Sequence, residues 1–216
     1  MATIDIIAHA FATLFVVIDP IGLAPMFISL TAGADTATRN LIARRAALTA
    51  MVILVAFALL GKQLLLWMGI TLPAFQIAGG IMLFMLALEM LFERRTERRS
   101  RRISESHPEA EHNLADDISV FPLATPLIAG PGAAATMILL MGRYPDNYAA
   151  HGIVIAVMIS VLALTYVLFR LAGPFERLLG DSGIKVITRL FGVILGALAV
   201  QFVLSGLADA GFVAKG

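Results

Sequence analysis

The chain has 216 residues, of which 59% are hydrophobic and 14% are charged, with a mean hydropathy of +0.90. Soluble domains carry nearer a quarter charged residues, so this composition excludes a soluble protein and predicts an integral membrane protein in a lipid bilayer. A net charge of +1 gives no support to a nucleic-acid partner, and the absence of cysteine excludes disulfides and thiolate metal sites.

Six apolar stretches each approach the roughly 20 residues that a helix needs to span a bilayer. In chain order they lie at about 5–29, 43–62, 70–91, 118–141, 152–172 and 185–207. Residues 92–117 are polar, first basic and then acidic, which indicates a solvated connector and no second domain. The pattern predicts an all-α membrane protein that forms a single domain over residues 1–216.

Basic residues are unevenly divided between the two sides that six spans would create. One side, with both termini, holds Lys62, Arg143 and Lys215, whereas the other holds the remaining thirteen of the 16 lysines and arginines. Because basic residues concentrate on the cytoplasmic side, both termini are expected outside and the loop 92–117 in the cytoplasm.

Two apolar stretches are interrupted by prolines. Residues 18–27 read IDPIGLAPMF and residues 125–131 read TPLIAGP, so Pro20–Pro25 and Pro126–Pro131 have the same spacing. A proline inside a helix removes a backbone donor and clashes with the preceding turn. We expect Pro25 and Pro131 each to open a second half-helix, whose first N–H groups form an anion site.

An internal repeat links the two halves of the chain. An offset of 106 pairs Asp19, Pro20, Ala24 and Pro25 with Thr125, Pro126, Gly130 and Pro131. An offset of 112 pairs Gly61, Gly80 and Glu89 with Gly173, Gly192 and Gln201. Because three spans are an odd number, residues 5–91 and 118–207 would cross the membrane in opposite directions, as in many secondary transporters.

Asp19 is the candidate site residue of the first break. A small solute with a carboxylate suits the two half-helix starts, and Asp19 suits the solute's amino group or a coupling proton. Alternatively, the breaks are only kinks and Asp19 is satisfied by neighbouring backbone donors. His9 reads as a satisfied interior histidine, and Glu89 as a residue at the membrane interface. No enzyme motif and no metal or cofactor site is apparent, so we expect neither catalysis nor a cofactor.

The motifs DPIGLAPMF and PLATPLIAGPG together make the chain resemble the MarC family of bacterial inner-membrane proteins, over essentially its whole length. Members are treated as small neutral amino acid transporters coupled to ion gradients. The resemblance implies an inner-membrane location and the motif positions Asp19, Pro20, Gly22, Pro25, Pro126, Gly130, Pro131 and Gly132. Thr125 joins this set as the repeat partner of Asp19.

Sequence therefore favours a secondary transporter of a small zwitterion of the glycine or alanine type. Proton coupling is left open by the residues themselves. A rival interpretation is a non-transporting membrane subunit whose kinks serve packing against a partner protein.

Overall fold

The computed structural model describes residues 3–31, 34–92 and 119–212. Over these ranges the chain is helical and contains no strand, which confirms the all-α prediction. The helices are α1 (Thr3–Ile18), α2 (Pro20–Leu30), α3 (Thr36–Trp67), α4 (Leu72–Leu91), the π-helical α5 (Ser119–Ile128), α6 (Pro131–Gly142), α7 (Tyr148–Arg170) and α8 (Ala172–Asp209). The predicted connector 92–117 lies, apart from Phe92, outside the described residues.

Five segments of the described chain are long and apolar enough to cross a membrane. They are Thr3–Ala24, Thr36–Trp67, Leu72–Leu91, Tyr148–Arg170 and Lys185–Asp209. The fourth predicted span, 118–141, coincides with α5 and α6, two shorter helices separated by a break. The described helices thus establish five candidate spans where the sequence predicted six.

Helices α3 and α7 begin at side-chain caps. Asp35 precedes α3 and accepts a hydrogen bond from the Thr38 backbone N–H at 3.1 Å, and hydrogen bonds from Thr38 lower the pKa of this carboxyl. Asn147 precedes α7 and accepts from the Ala150 N–H at 3.0 Å. A cap of this kind satisfies one of the helix donors that has no partner inside the helix, and so fixes where the helix begins.

Gly180 divides α8 into two parts. Its φ of 62° lies in the left-handed region, which glycine adopts without a steric penalty. The helix direction therefore changes at this residue, and the spanning part begins after it, at Lys185.

Helices α4 and α8 run antiparallel and approach each other through glycines. A Cβ placed on Gly80 would lie 2.8 Å from the Ala199 carbonyl oxygen, and one on Gly206 would lie 3.0 Å from that of Pro73. Near the other end of the pair, a Cβ on Gly192 would meet the Ala87 carbonyl oxygen at 3.2 Å. Small residues at these positions allow close backbone contact, which is how helices associate in a membrane without a hydrophobic driving force.

The outward faces of the long helices remain apolar. On α3, Val52 and Leu60 are exposed, as are Ile81 on α4 and Val193 and Ile194 on α8. Exposed apolar side chains in this number are stable against lipid and unfavourable in water.

Candidate functional site

The first helix break consists of a single residue, Asp19. Its N–H donates to the Phe15 carbonyl at 2.9 Å, which completes α1, and its own carbonyl accepts from the Leu23 N–H at 3.0 Å, which begins α2. Its φ is 53°, in the left-handed region that only glycine, asparagine and aspartate visit readily. Residues held in this conformation often mark functional sites, because the strain must be offset by the surrounding structure.

The Asp19 carboxylate closes this break from inside. Asp19 is fully buried, and its Oδ1 accepts a hydrogen bond from the Gly22 N–H at 3.0 Å. Gly22 allows this contact, because a Cβ there would lie 2.8 Å from the Asp19 Cγ. Asp19 therefore acts as the N-cap of α2, with Gly22 at the third helical position.

The prediction that Pro25 opens the second half-helix is wrong. Pro20 occupies the first position of α2, and Pro25 lies within that helix. The left-handed conformation of Asp19 ends α1 and lets a new helix begin at Pro20. Pro20 occupies the first position of that helix, where the missing N–H would have no partner inside the helix. Helical hydrogen bonding therefore lapses at 19 and resumes well before residue 25.

The second break lies between α5 and α6. The N–H of Ala129 donates to the Ala124 carbonyl at 2.9 Å, a π-type bond that ends α5. Gly130 then adopts extended backbone (φ −70°, ψ 172°) as the N-cap of α6, with Pro131 in the first turn and no side-chain capping bond. The prediction that Pro131 opens a half-helix is confirmed.

The register of the two breaks differs from the prediction. Gly130 follows Asp19 by 111 residues, and these two residues each precede the proline that opens a helix. Thr125 and Pro126, which an offset of 106 paired with Asp19 and Pro20, lie instead inside α5. Their side chains fall outside what the structure describes.

A cavity of about 250 Å³ borders the start of α6, and we call it the Glu89 cavity. Its lining includes Gly130, Pro131 and Gly132 at the second break, together with Glu89 on α4. The first N–H groups of a helix have no partner inside it and carry the positive end of the helix dipole. The Glu89 cavity thus brings a carboxylate and the donors of a helix start to one space.

A larger cavity of about 920 Å³, the Arg143 cavity, lies at the other end of α4 and α6. Its polar lining comprises His9, Gln76, Arg143, Gln201, Ser205 and Asp209. The Arg143 Nη1 lies 2.9 Å from the His9 Nε2, and the Gln201 amide donates to the Ser205 hydroxyl at 3.2 Å. Sequence correctly suggested that His9 has a partner, but gave no indication of which residue it is.

Different residues line the two cavities, and we call the part of α4 and α6 between them, around Gly79 and Ala135, the packed layer. They share no lining residue: the Glu89 cavity is bordered by residues 82–89 of α4, and the Arg143 cavity by Leu72 and Gln76. Between them Gly79 of α4 faces Ala135 of α6, and a Cβ added to Gly79 would lie at an ordinary contact distance of 3.5 Å from the Ala135 Cβ.

Thr136 lies on α6 between the stretches that line the two cavities. It is fully buried, and its hydroxyl has no hydrogen-bond partner. A buried polar atom without a partner costs about 1–3 kcal/mol, so such an atom calls for an explanation.

The predicted site residues therefore fall into two groups. Gly130, Pro131 and Gly132 line the Glu89 cavity, whereas Asp19, Pro20 and Gly22 form the closed first break and line neither cavity. Glu89, read from sequence as an interfacial residue, lines the same cavity and was not among the predicted site residues. The available signal was the offset of 112 that pairs Glu89 with Gln201, since Gln201 lines the Arg143 cavity. No group of three potential metal ligands occurs in the described part of the chain.

Long apolar helices with exposed apolar faces define a multi-pass integral membrane protein. The family model described as "MarC family integral membrane protein" matches residues 4–210, and the chain belongs to this family. The resemblance drawn from the two motifs is thus confirmed.

Relatives of the chain occur in bacteria and archaea. The membrane protein YvbG of Bacillus subtilis is 39% identical over 203 residues, covering 93% of each chain. A membrane protein of Methanocaldococcus jannaschii is 36% identical over 201 residues (93% of this chain, 95% of the relative), and YhcE of Escherichia coli is 35% identical over 197 residues (91% and 89%). Their names specify a membrane protein and no cargo. No solved structure gave a significant match.

Proposed function

We propose that this protein is a secondary transporter of small zwitterionic solutes of the glycine and alanine type, in the bacterial inner membrane. The observation that carries the proposal is the pair of cavities at opposite ends of α4 and α6. Alternating access needs a path that opens to either side and is closed between them. We propose that the packed layer around Gly79 and Ala135 is this closure.

The proposed transporter has six spans, the fourth formed by α5 and α6 together. These two helices cover the predicted span 118–141, and the break between them borders the Glu89 cavity. Irregular backbone at membrane depth is tolerated where it lines a cavity or is buried in protein. The break at Gly130 meets that condition.

Reciprocal contacts support two inverted repeats of three spans. Gly80 packs on the Ala199 carbonyl, and Gly192 packs on the Ala87 carbonyl. Gly192 and Ala199 follow Gly80 and Ala87 by the same 112 residues, so one contact becomes the other when the halves are exchanged. This reciprocity is the property of an interface with a two-fold axis.

The same offset recurs in the surrounding helices. The caps Asp35 and Asn147 are 112 residues apart, as are the first residues of α3 and α7. Buried positions follow the same rule, because adding 112 to Gly80, Leu83, Ala87 and Met90 gives Gly192, Leu195, Ala199 and Phe202, all of them buried.

The solute's carboxylate is proposed to bind the start of α6. The N–H groups of Gly132 and Ala133 lie in the first turn, where a carboxylate is favoured by hydrogen bonds and by the helix dipole. Glu89 borders the same cavity and is the proposed partner of the solute's ammonium group. Thr136 would then contact the solute as it crosses the packed layer, which explains its buried hydroxyl.

Asp19 is proposed to act in proton coupling rather than as a direct solute ligand. A proton on its carboxylate would weaken the bond from the Gly22 N–H and loosen the start of α2. Two other predicted positions of the first break, Pro20 and Gly22, would act by shaping this cap, and a role for Pro25 stays a prediction from the motif. A role for Thr125 and Pro126 stays a prediction from the motif.

The burial of Asp19 also suits the rival interpretation, a membrane subunit without transport activity. A buried cap that lines neither cavity is sufficient to hold a kinked helix in place. The rival interpretation does not explain the two separate cavities or the unpartnered Thr136 hydroxyl.

Uptake into proteoliposomes tests the proposal. Purified protein should take up labelled glycine or alanine faster than protein-free liposomes, and an imposed proton gradient should increase the rate. Exchange of labelled for unlabelled solute should proceed without any gradient. Absence of both uptake and exchange, across a panel of small neutral amino acids, would favour the rival.

The proposed orientation has a separate test, because the native chain contains no cysteine. Single cysteines introduced near residues 3, 146 and 214 should react with a membrane-impermeant thiol reagent in intact cells. A cysteine near residue 105 should react only after permeabilisation, and external labelling there would reverse the orientation.

A further inference from the structure

Arg143 is held in place by a neutral partner. The guanidinium nitrogen Nη1 lies 2.9 Å from the His9 Nε2 across 134 positions of sequence. Guanidinium nitrogens only donate hydrogen bonds, so Nε2 is the acceptor and the proton of the neutral ring is on Nδ1. Within the described part of the chain, this is the one side-chain hydrogen bond that Arg143 makes.

Arg143 borders the cavity and has N–H donors besides the one bonded to His9. An arginine has five N–H donors in a planar fork that matches the two oxygens of a carboxylate. One donor is bonded to His9, and the side chain is exposed and borders the Arg143 cavity. His9 therefore orients Arg143 without neutralising its charge.

The remainder of the cavity offers groups for the other end of a zwitterion. Gln76 and Gln201 supply amide oxygens, and Asp209 supplies a carboxylate, all in the lining of the same space. An ammonium group is a donor only and binds such oxygens. The volume of about 920 Å³ exceeds what a single small amino acid fills, which suits a hydrated site in contact with solvent.

We propose that Arg143, positioned by His9, is the carboxylate-binding residue of a second solute site, distinct from the one at the start of α6. The identity of the solute as a small amino acid rests on the proposed function. The site lies at the end of the bundle that carries the C-terminus of α8, and it receives the solute on that side before or after it crosses the packed layer.

Equilibrium binding of labelled glycine to the purified full-length protein tests this site. The variant Gly130→Asp, which places a carboxylate at the start of α6, removes the other proposed site and leaves the Arg143 cavity intact. In this background one glycine per chain should bind, and Arg143→Gln should weaken that binding by about tenfold or more, because a charge-assisted bidentate contact is lost. Lys62→Gln is the matched control, since it removes a positive charge at the same end of the molecule without lining the cavity.

Competition with glycinamide separates binding from a merely structural tie between α1 and α6. Glycinamide lacks the carboxylate, so it should compete poorly in the Gly130→Asp background, and Arg143→Gln should abolish the difference between glycine and glycinamide. Arg143→Lys keeps the charge and loses the planar pair of donors, so it should bind glycine several-fold more weakly than the protein with Arg143. This variant also serves as the test if Arg143→Gln does not fold. His9→Gln should bind more tightly than His9→Leu, because glutamine can still accept from Arg143.

Each outcome has a meaning. The second site is overturned if Arg143→Gln leaves glycine binding in the Gly130→Asp background unchanged. It is also overturned if glycine and glycinamide compete equally well in that background while Arg143 is present. Binding at Arg143 together with a wild-type protein that shows neither uptake nor exchange would keep this site and reject transport. Uptake without any loss in Arg143→Gln would keep transport and reject this site.

Discussion

The two helix breaks use the same local device and complete it differently. At each, a residue outside helical geometry is followed by a proline that opens a new helix, Pro20 in α2 and Pro131 in α6. At the first break the chain's own carboxylate, that of Asp19, binds the helix start and is fully buried. At the second the preceding residue is Gly130, no side chain caps the helix, and its start borders a cavity.

This difference suggests what the second break binds. Asp19 demonstrates, within the same molecule, that a carboxylate fits a helix start of this geometry. A capping aspartate stands before the proline at the first break, and a glycine stands there at the second. A carboxylate supplied by a solute would occupy at α6 the position that Asp19 occupies at α2.

The largest expected effect comes from making the second break resemble the first. Gly130→Asp should fold, because the backbone of Gly130 is extended and accepts any residue, and should gain a few tenths of a kcal/mol from the new cap. Glycine uptake in proteoliposomes should fall by about tenfold or more, because the internal carboxylate competes with that of the solute. Gly130→Ala, which adds no cap, is the control and should retain uptake. Equal loss in both variants would mean that the aspartate acts through bulk alone.

Substitution of Asp19 tests the closed break. Asp19→Ala should lower the free energy of unfolding by about 2–3 kcal/mol, because it loses the cap and places an ordinary residue at a φ of 53°. Asp19→Asn keeps both the cap and the tolerance for this backbone, so it should fold like the wild type. We expect it to abolish gradient-driven uptake while exchange of labelled for unlabelled solute continues. Wild-type uptake that still depends on the gradient would reduce Asp19 to a structural cap.

The equivalence of the two halves can be tested at their shared interface. Gly80→Val and Gly192→Val should each lower stability by about 1–3 kcal/mol, because each added side chain meets a carbonyl oxygen of the facing helix. The two losses should be similar. Gly196→Ala should change little, since its Cβ would make an ordinary contact of 3.7 Å with the Ala87 Cβ. Thermal unfolding in detergent measures all three, and one tolerated valine would show that the halves are not equivalent here.

The smallest effect is expected at Thr136. Thr136→Val keeps the shape of the side chain and removes a buried hydroxyl without a partner, so stability should stay equal or rise by about 1 kcal/mol. Glycine uptake should nevertheless slow, because the hydroxyl is proposed to contact the solute. Thr165→Val is the control, because the Thr165 hydroxyl donates to the Val161 carbonyl at 2.8 Å. This substitution should lower stability without slowing glycine uptake. Unchanged uptake in Thr136→Val removes Thr136 from the path.

Sequence predicted the helices well and the breaks only in outline. Apolar length located each long helix, and the Asp35 and Asn147 caps start α3 and α7 close to the predicted spans. The position of the first break was misjudged because either Pro20 or Pro25 could open a helix by local rules. The choice was decided by the left-handed backbone of Asp19, which local sequence does not specify.

The candidate site was predictable only where the motif itself lines a cavity. Gly130, Pro131 and Gly132 were found in this way, because their residue types already indicate a helix start. Glu89, His9 and Arg143 were not, since each depends on which helices face one another. Long-range packing of this kind leaves almost no local pattern in one sequence.

The most direct test of the account is the response of two backbone amides in protein labelled with ¹⁵N at glycine. On titration with L-alanine, the Gly132 amide resonance should shift in a saturable manner, because its N–H is proposed to bind the solute's carboxylate. The Gly22 amide resonance should not shift, because its N–H is already bonded to Asp19. A stationary Gly132 resonance, or a saturable shift at Gly22 instead, would contradict the assignment of the open helix start of α6 as the solute site.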